Sequence, residues 1–186
     1  MSNLSVANFK AWKRVEVSTD DSVIQAAIDA AEETIAQHCG RRFSIATGPA
    51  TSRTYKASSN DSTVVEIHDC ASVTSVHDAG NTLAASSYQL EPLNGLNPMG
   101  ETVPYTRIRL IGGGVWSYLY DAANIVVIAQ WGWTTLPARY FEADKILTAD
   151  ILDNRDIRNG IIGFTDYAGI RVRENPVVSQ LVSKLM

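Results

Sequence analysis

The chain has 186 residues, 45% hydrophobic and 19% charged, with a mean hydropathy of -0.06; that suffices for one folded domain with an inserted subdomain and excludes an intrinsically disordered chain. A formal net charge of -4 and a pI of about 5.3 argue against a protein that coats duplex nucleic acid, which needs clustered lysine and arginine to neutralise phosphate. Two cysteines, Cys39 and Cys70, are too few for a disulfide scaffold, so both thiols are expected to be free.

Residues 1–17 carry Lys10, Lys13, Arg14 and Glu16 and lack an apolar run followed by a small-residue cleavage site, so no secretory leader is expected. No apolar run approaches the ~18 residues that span a bilayer. The expected compartment is therefore the cytoplasm, with no membrane partner.

Ser5 to Trp12 reads as a short helix capped by Asn3 or Ser5, with Val6, Phe9 and either Trp12 or Lys13 along one face. Ser18-Thr19-Asp20-Asp21 has the spacing of a capping box, and the helix it opens is expected from about Ser22 to Cys39. There Ile24, Ala27, Ile28, Ala31 and Ile35 recur at i, i+3, i+4, i+7 and i+11 and form an apolar stripe. Gln25, Asp29, Glu32, Glu33 and Gln37 fall largely on the opposite, solvated side. Gly40 stands where a left-handed cap ends such a helix.

From Ala50 to Gln130 the pattern has period two. Ser52 to Lys56, Thr63 to His68 and Val73 to His77 read as strands, with a turn at Asp78-Ala79-Gly80-Asn81. Tyr88-Gln89-Leu90 precedes a segment from Pro92 to Gly100 that is dense in turn formers. Arg107 and Arg109 alternate with Ile108 and Leu110, which gives one wet and one packed face. Ile125 to Trp131 is apolar on both faces and reads as an interior strand. Roughly six to eight strands are expected in this region, given ordinary strand and turn lengths.

Leu136-Pro137-Ala138 opens a further helix, Pro137 suiting its first position. Tyr140, Ala143, Leu147 and Ile151, widened by Ile146, form its stripe, and Asn154-Arg155-Asp156 closes it. Ile161 to Arg173 has no clear period and reads as a loop or short hairpin. Asn175-Pro176 then caps a last helix from Val177 to Leu185. The fold class is α+β: a helical part over residues 1–49, an inserted antiparallel β subdomain over 50–133, a helix over 134–159 that completes a small bundle, and a C-terminal arm over 160–186.

Catalytic and metal chemistry finds little support. His38-Cys39 and His68-x-Cys70 supply ligand types that suit zinc, but no C-x2-C or H-x3-H spacing accompanies them. Gly112-Gly113-Gly114 lacks both the G-x-G-x-x-G frame and the G-K-[ST] ending of phosphate loops, and there is no G-x-S-x-G. No cofactor, metal site or enzymatic activity is expected. Trp116, Tyr118, Tyr120, Trp131 and Trp133 suit either core packing or a subunit interface. By alternation Trp131 shares a face with Trp133. Basic residues are not interleaved among these rings, as stacking on single-stranded nucleic acid would require.

The order of these elements resembles the head–tail connector proteins of tailed bacteriophages, also called adaptors or head-completion proteins. The resemblance rests on Phe9-Lys10-Ala11-Trp12 ending the first helix, on the acidic pair Asp20-Asp21 opening an Ala-rich helix, and on the corner Gly40-Arg41-Arg42-Phe43. It continues in the step Trp131-Gly132-Trp133, the Pro137-initiated helix, and the segment Ile162 to Val172 with the closing Pro176 to Leu185. The two ends carry it. Minimal members are almost wholly helical, so the β insertion is a departure.

The resemblance implies a structural subunit of the virion, placed at the capsid–tail junction after assembly in the host cytoplasm. It implies a ring, dodecameric like the portal on which it docks, that extends the DNA channel and meets the next neck or tail-completion protein. Genomic DNA would pass through the lumen with weak contact. The portal-facing or subunit-facing residues implied are Ile170, Val172, Pro176, Val177, Val178, Leu181, Val182 and Leu185, since a helix this short must bury its aliphatic stripe against something; its own core is the other candidate. The alternatives are a neighbouring neck component (a stopper or tail-terminator ring) and a nucleic-acid-associated packaging accessory. The accessory would need a basic patch, for which Arg53 with Lys56, or Arg107 with Arg109, are the sequence candidates.

Overall fold

The computed structural model describes residues 3–14, 21–58, 60–117, 123–158 and 176–183. Asp20, Tyr118, Tyr120, Ile170, Val172, Leu185 and the segment 159–175 lie outside the described residues. The chain divides into two compact units, Met1–Phe43 with Leu136–Met186, and Ser44–Thr135.

The first unit holds α1 (Val6–Lys13), α2 (Asp21–Cys39), α3 (Ala138–Arg158) and α4 (Pro176–Ser183). The Ser5 hydroxyl caps α1 by accepting the Asn8 N–H at 3.2 Å. The α2 stripe is buried as its period dictates: Ile24, Ala27, Ile28, Ala31 and Ile35 are all 6% exposed or less. Phe9 packs with Leu4, Ile24 and Ile28, and Ala149 and Leu152 of α3 close over them. Fully burying each large aliphatic or aromatic side chain stabilises by ~1.5–3 kcal/mol. Ion pairs from Lys10 to Asp21 and from Lys13 to Asp153 tie α1 to α2 and α3.

α3 differs from its sequence pattern in two ways. It runs through Asn154-Arg155-Asp156 to Arg158, because none of those residues breaks a helix as glycine or proline would. Its buried face holds Tyr140, Ala143, Asp144 and Thr148, while Leu147 and Ile151 are half-buried. Pro137 stands one residue ahead of the first helical position, and its carbonyl accepts the Tyr140 N–H at 2.9 Å.

The second unit is a six-stranded antiparallel sheet in the order β1-β6-β2-β5-β4, with β3 on β2. Its strands are β1 (Thr51–Tyr55), β2 (Val64–Asp78), β3 (Asn81–Thr82), β4 (Tyr88–Glu91), β5 (Tyr105–Leu110) and β6 (Ile125–Trp131). The two strands expected over residues 63–77 are one. β2 pairs with β5 through its first half and with β6 through its second, and Cys70 lies opposite both Tyr105 and Trp131. Register shifts at residues 66–70, 70–72 and 73–75 let the strand change neighbours without ending. β6 is interior, between β1 and β2, as its apolar run implies. One face packs Val65, Cys70, Val76, Ile108, Ile125, Val127 and Ala129 with Trp116.

Candidate assembly surfaces

The helix-ending corner is built by backbone geometry. Gly40 adopts φ +63, the Gly40 N–H donates to the Gln37 carbonyl (3.3 Å), and the Arg41 N–H donates to that of Ala36 (3.2 Å). These two bonds form a Schellman motif, which glycine permits at least cost. The turn delivers Phe43 inward, 6% exposed, with its ring centroid 5.0 Å from that of Tyr140. Asn3 bridges the pair: its Nδ2 donates to the Phe43 carbonyl (2.6 Å) and to the Tyr140 hydroxyl (3.0 Å). Gly40 and Phe43 thus hold the end of α2 to the start of α3. Asp21 opens α2, where a carboxylate complements the helix dipole.

Two carboxyl groups beneath this corner escaped the sequence reading. Glu32, placed there on the solvated face, instead accepts the N–H groups of Asn3 and Leu4, and burial moves its pKa upward. Asp144 is 0% exposed. Its Oδ1 accepts from the Thr148 hydroxyl at 3.4 Å, and its Oδ2 is buried without a hydrogen-bond partner among the described residues. Burial, then repulsion from Glu32, pushes its pKa up to about 7 against the opposing Thr148 bond and Lys145 charge. Tyr140 is raised too, first by burial. A polar residue inside an apolar stripe leaves no mark in the period, so only the packing of Asn3 and α2 against α3 brings the group to light.

The C-terminal helix α4 packs on α2 and α3. Val182 is 1% exposed and its carbonyl lies 4.0 Å from the Cys39 sulfur. Val178 and Leu181 are half-buried, whereas Pro176 is exposed and Val177 is 51% exposed. Part of the stripe thus covers the chain's own helical unit and part faces outward.

On the sheet unit, Gly132 ends β6 with φ +118. A Cβ there would come closer than 3.0 Å to the Ser44 carbonyl oxygen. The close approach lets the Gly132 N–H donate to the Asp69 carbonyl and the Trp133 N–H to that of Ser44, both at 2.7 Å. This break in the strand separates the two tryptophans that alternation places on one face. Trp133 turns into the core at 3% exposed and donates its Nε1–H to Asp69 (3.1 Å). Trp131 stays half-buried, donates to the Thr51 carbonyl (2.9 Å) and carries the Arg53 guanidinium 4.5 Å above its ring. Trp116 is core.

The candidate basic patch of Arg107 and Arg109 is internally matched. Arg109 donates to Glu91 (2.7 Å), Asp61 (3.3 Å) and the Thr63 hydroxyl (3.1 Å). Its bond lowers the Glu91 pKa, and Asp61 is lowered first by Thr63. Arg107 stands directly between Glu66 and Glu91 in the sheet register. Each arginine therefore faces carboxylates of its own unit.

Of the histidines and cysteines weighed as ligands, His68 Nδ1 shares a hydrogen bond with the Tyr55 hydroxyl (2.8 Å), and Cys70 is fully buried. Among the described residues no group of three or more metal-ligating side chains comes together, and no helix is long and apolar enough to cross a membrane.

No family model and no curated protein matches the chain. Solved structures do. A chain from the neck of an empty gene transfer agent (GTA) particle, computed with C6 symmetry, superposes with a TM-score of 0.59 at 16% identity, over 97% of this chain and 88% of that one. This protein has the fold of a GTA neck chain. A chain in the virion of the native GTA particle gives the same figures. One from the native neck computed with C12 symmetry gives 0.53 at 14% identity, over 95% and 86% of the two chains. The likeness takes in the β unit as well as the helices, so the insertion belongs to the shared fold.

Proposed function

We propose that this chain is a structural, non-enzymatic subunit of a phage neck ring, an adaptor that docks on the portal and extends the DNA channel toward the tail. The observation that carries the reading is the superposition on neck chains over 97% of the chain, together with the head–tail connector motifs at both ends. The neighbouring necks were computed with C6 and C12 symmetry, which suits a ring whose copy number matches a dodecameric portal. Docking is assigned to the outward side of α4, through Pro176 and Val177 with the half-buried Val178 and Leu181, and to Ile170, Val172 and Leu185. Val182 anchors that helix to its own unit. Pairing of Arg109 with Glu91 and Asp61, and an overall charge of -4, suit a lumen through which duplex DNA slides without adhering. The ring assembles in the host cytoplasm, and its far side receives the next neck or tail-completion protein.

Deletion of the gene from the phage that carries it tests this reading. Filled heads and free tails should accumulate separately, and purified protein added to the heads should restore joining. Normal packaging and joining without the protein would refute the role. Joined particles with defective DNA retention would favour a stopper, and unpackaged heads would favour the packaging accessory.

A further inference from the structure

Lys10, Lys13 and Arg42 each meet a carboxylate of the helical unit, and Arg109 meets two on the sheet unit. Arg53 departs from that pattern. It is exposed in the middle of β1, an edge strand of the sheet. Its guanidinium lies 4.5 Å above the Trp131 ring, and among the described residues no carboxylate pairs with it.

The support beneath that guanidinium is fixed by hydrogen bonds of its own. Trp131 donates its Nε1–H to the Thr51 carbonyl (2.9 Å). Tyr55 shares a face of β1 with Arg53, two residues away, and its ring centroid is 5.9 Å from that of Trp131. The Tyr55 hydroxyl accepts the His68 N–H (3.3 Å) and shares a hydrogen bond with His68 Nδ1 (2.8 Å). Strands β1, β2 and β6 thus each contribute a ring to a platform in which Trp131 and Tyr55 are half-buried and His68 is exposed. A guanidinium stacked on such a ring has lost rotamer freedom already but keeps its edge N–H donors, so binding through it incurs less ordering cost. Those donors match the paired oxygens of a carboxylate or a phosphate. The phosphates of nucleic acid are the poorer match. Duplex affinity draws on several clustered cations, and the ring face that would take a base already holds Arg53. Arginine, tryptophan and tyrosine together are instead the residues enriched at the energetic centres of protein interfaces.

We propose that Arg53, braced by Trp131, Tyr55 and His68, anchors a protein interface whose partner presents an aspartate or glutamate side chain to the guanidinium. Charge complementarity selects the partner's chemistry: this cation is preorganised at the surface with no carboxylate of its own chain to neutralise it, whereas Arg109 is saturated by two. The proposal adds a contact residue and its ligand to the neck reading above, and rests on that reading for the particle in which the partner is found.

The test assembles particles with Arg53→Lys in place of the parent and treats them with a carbodiimide, which joins an amine to a carboxylate only where the two are in contact. The substitution keeps the charge at an exposed position, so the variant should melt like the parent. Peptide mapping should find position 53 amide-linked to an aspartate or glutamate of a different polypeptide, with isotope-mixed subunits separating a link between copies from one within a copy. The new amine should also acetylate at least about tenfold more slowly in particles than in purified protein, because the contacts around such an anchor exclude water. A link confined to one chain, or no link at all, overturns the proposal and leaves the neck reading intact. In a second arm, Arg53→Ala should bind a short DNA duplex at physiological salt as the parent does. A loss of about tenfold or more there would make nucleic acid the occupant and overturn the proposal. Particles that contain none of the parent protein would overturn both readings.

Discussion

Replacing Asp144 by asparagine removes one ionisation and little else, and its effect should reverse with pH. The carboxyl is 0% exposed, with one oxygen bonded to Thr148 and the other without a partner among the described residues. Burial and the nearby Glu32 raise its pKa to about 7 in the folded protein, against ~3.9 in an unfolded chain. Between those two values the folded state holds a proton that the unfolded state has lost. Stability should therefore be greatest below pH ~4, fall as pH rises toward 7, and stay level above that as far as this group is concerned. About three pH units at ~1.36 kcal/mol each bound the loss at ~4 kcal/mol. The asparagine is neutral throughout and keeps an acceptor for Thr148, but its amide adds buried donors, with a penalty of ~1–3 kcal/mol. Net stabilisation at pH 8 should thus be ~1–3 kcal/mol, turning to a loss of ~1–3 kcal/mol near pH 4. Urea unfolding of both proteins at the two pH values measures it. An equal effect at both pH values, or destabilisation at pH 8 alone, would refute the reasoning.

Gly132→Ala should destabilise by at least ~2 kcal/mol, read as a lowered melting temperature, because the new Cβ meets the Ser44 carbonyl at an unfavourable φ. Gly40→Ala, also at positive φ but with nothing within 4 Å of the new Cβ, should cost only about 1 kcal/mol. Both thiols should titrate as free. Cys70, buried and pushed up to about 11, should react with a disulfide reagent at pH 8 only on unfolding, and Cys39 should react first. Binding to a short DNA duplex at physiological salt should be weaker than micromolar and unchanged by Arg109→Ala, since Glu91 and Asp61 already occupy that guanidinium. Submicromolar affinity in a fluorescence titration would overturn that expectation.

Legibility in the sequence followed locality. The α2 stripe and the Gly40 cap are set by residues a few positions apart, so period and cap chemistry find them. Separation of a helical part from a β part follows from the change in period near Ala50 and again near Leu136. Features decided by distant partners escaped. Glu32 is drawn inward by two N–H groups of the N-terminal segment, and Asp144 and Thr148 lie on a buried face that the leucines of the same helix disguise. Continuity of β2 depends on having β5 on one side and β6 on the other, which no local pattern encodes. Trp131 and Trp133 part company because Gly132 needs a positive φ to let the chain pass Ser44. In the C-terminal helix the aliphatic spacing shows a stripe but not which side chain meets the protein's own core, and packing selects Val182.

The central claim is that this chain forms a ring on a portal, and mass measurement of the assembly addresses it most directly. The purified protein should scatter light as a monomer or a weak associate at low concentration, because its hydrophobic fraction and net charge do not suggest an obligate, core-like interface. Mixed with the portal encoded beside it, the protein should add a single complement whose mass corresponds to one copy per portal subunit. A portal that gains no mass at saturating protein, or gains it without a fixed stoichiometry, would contradict the account.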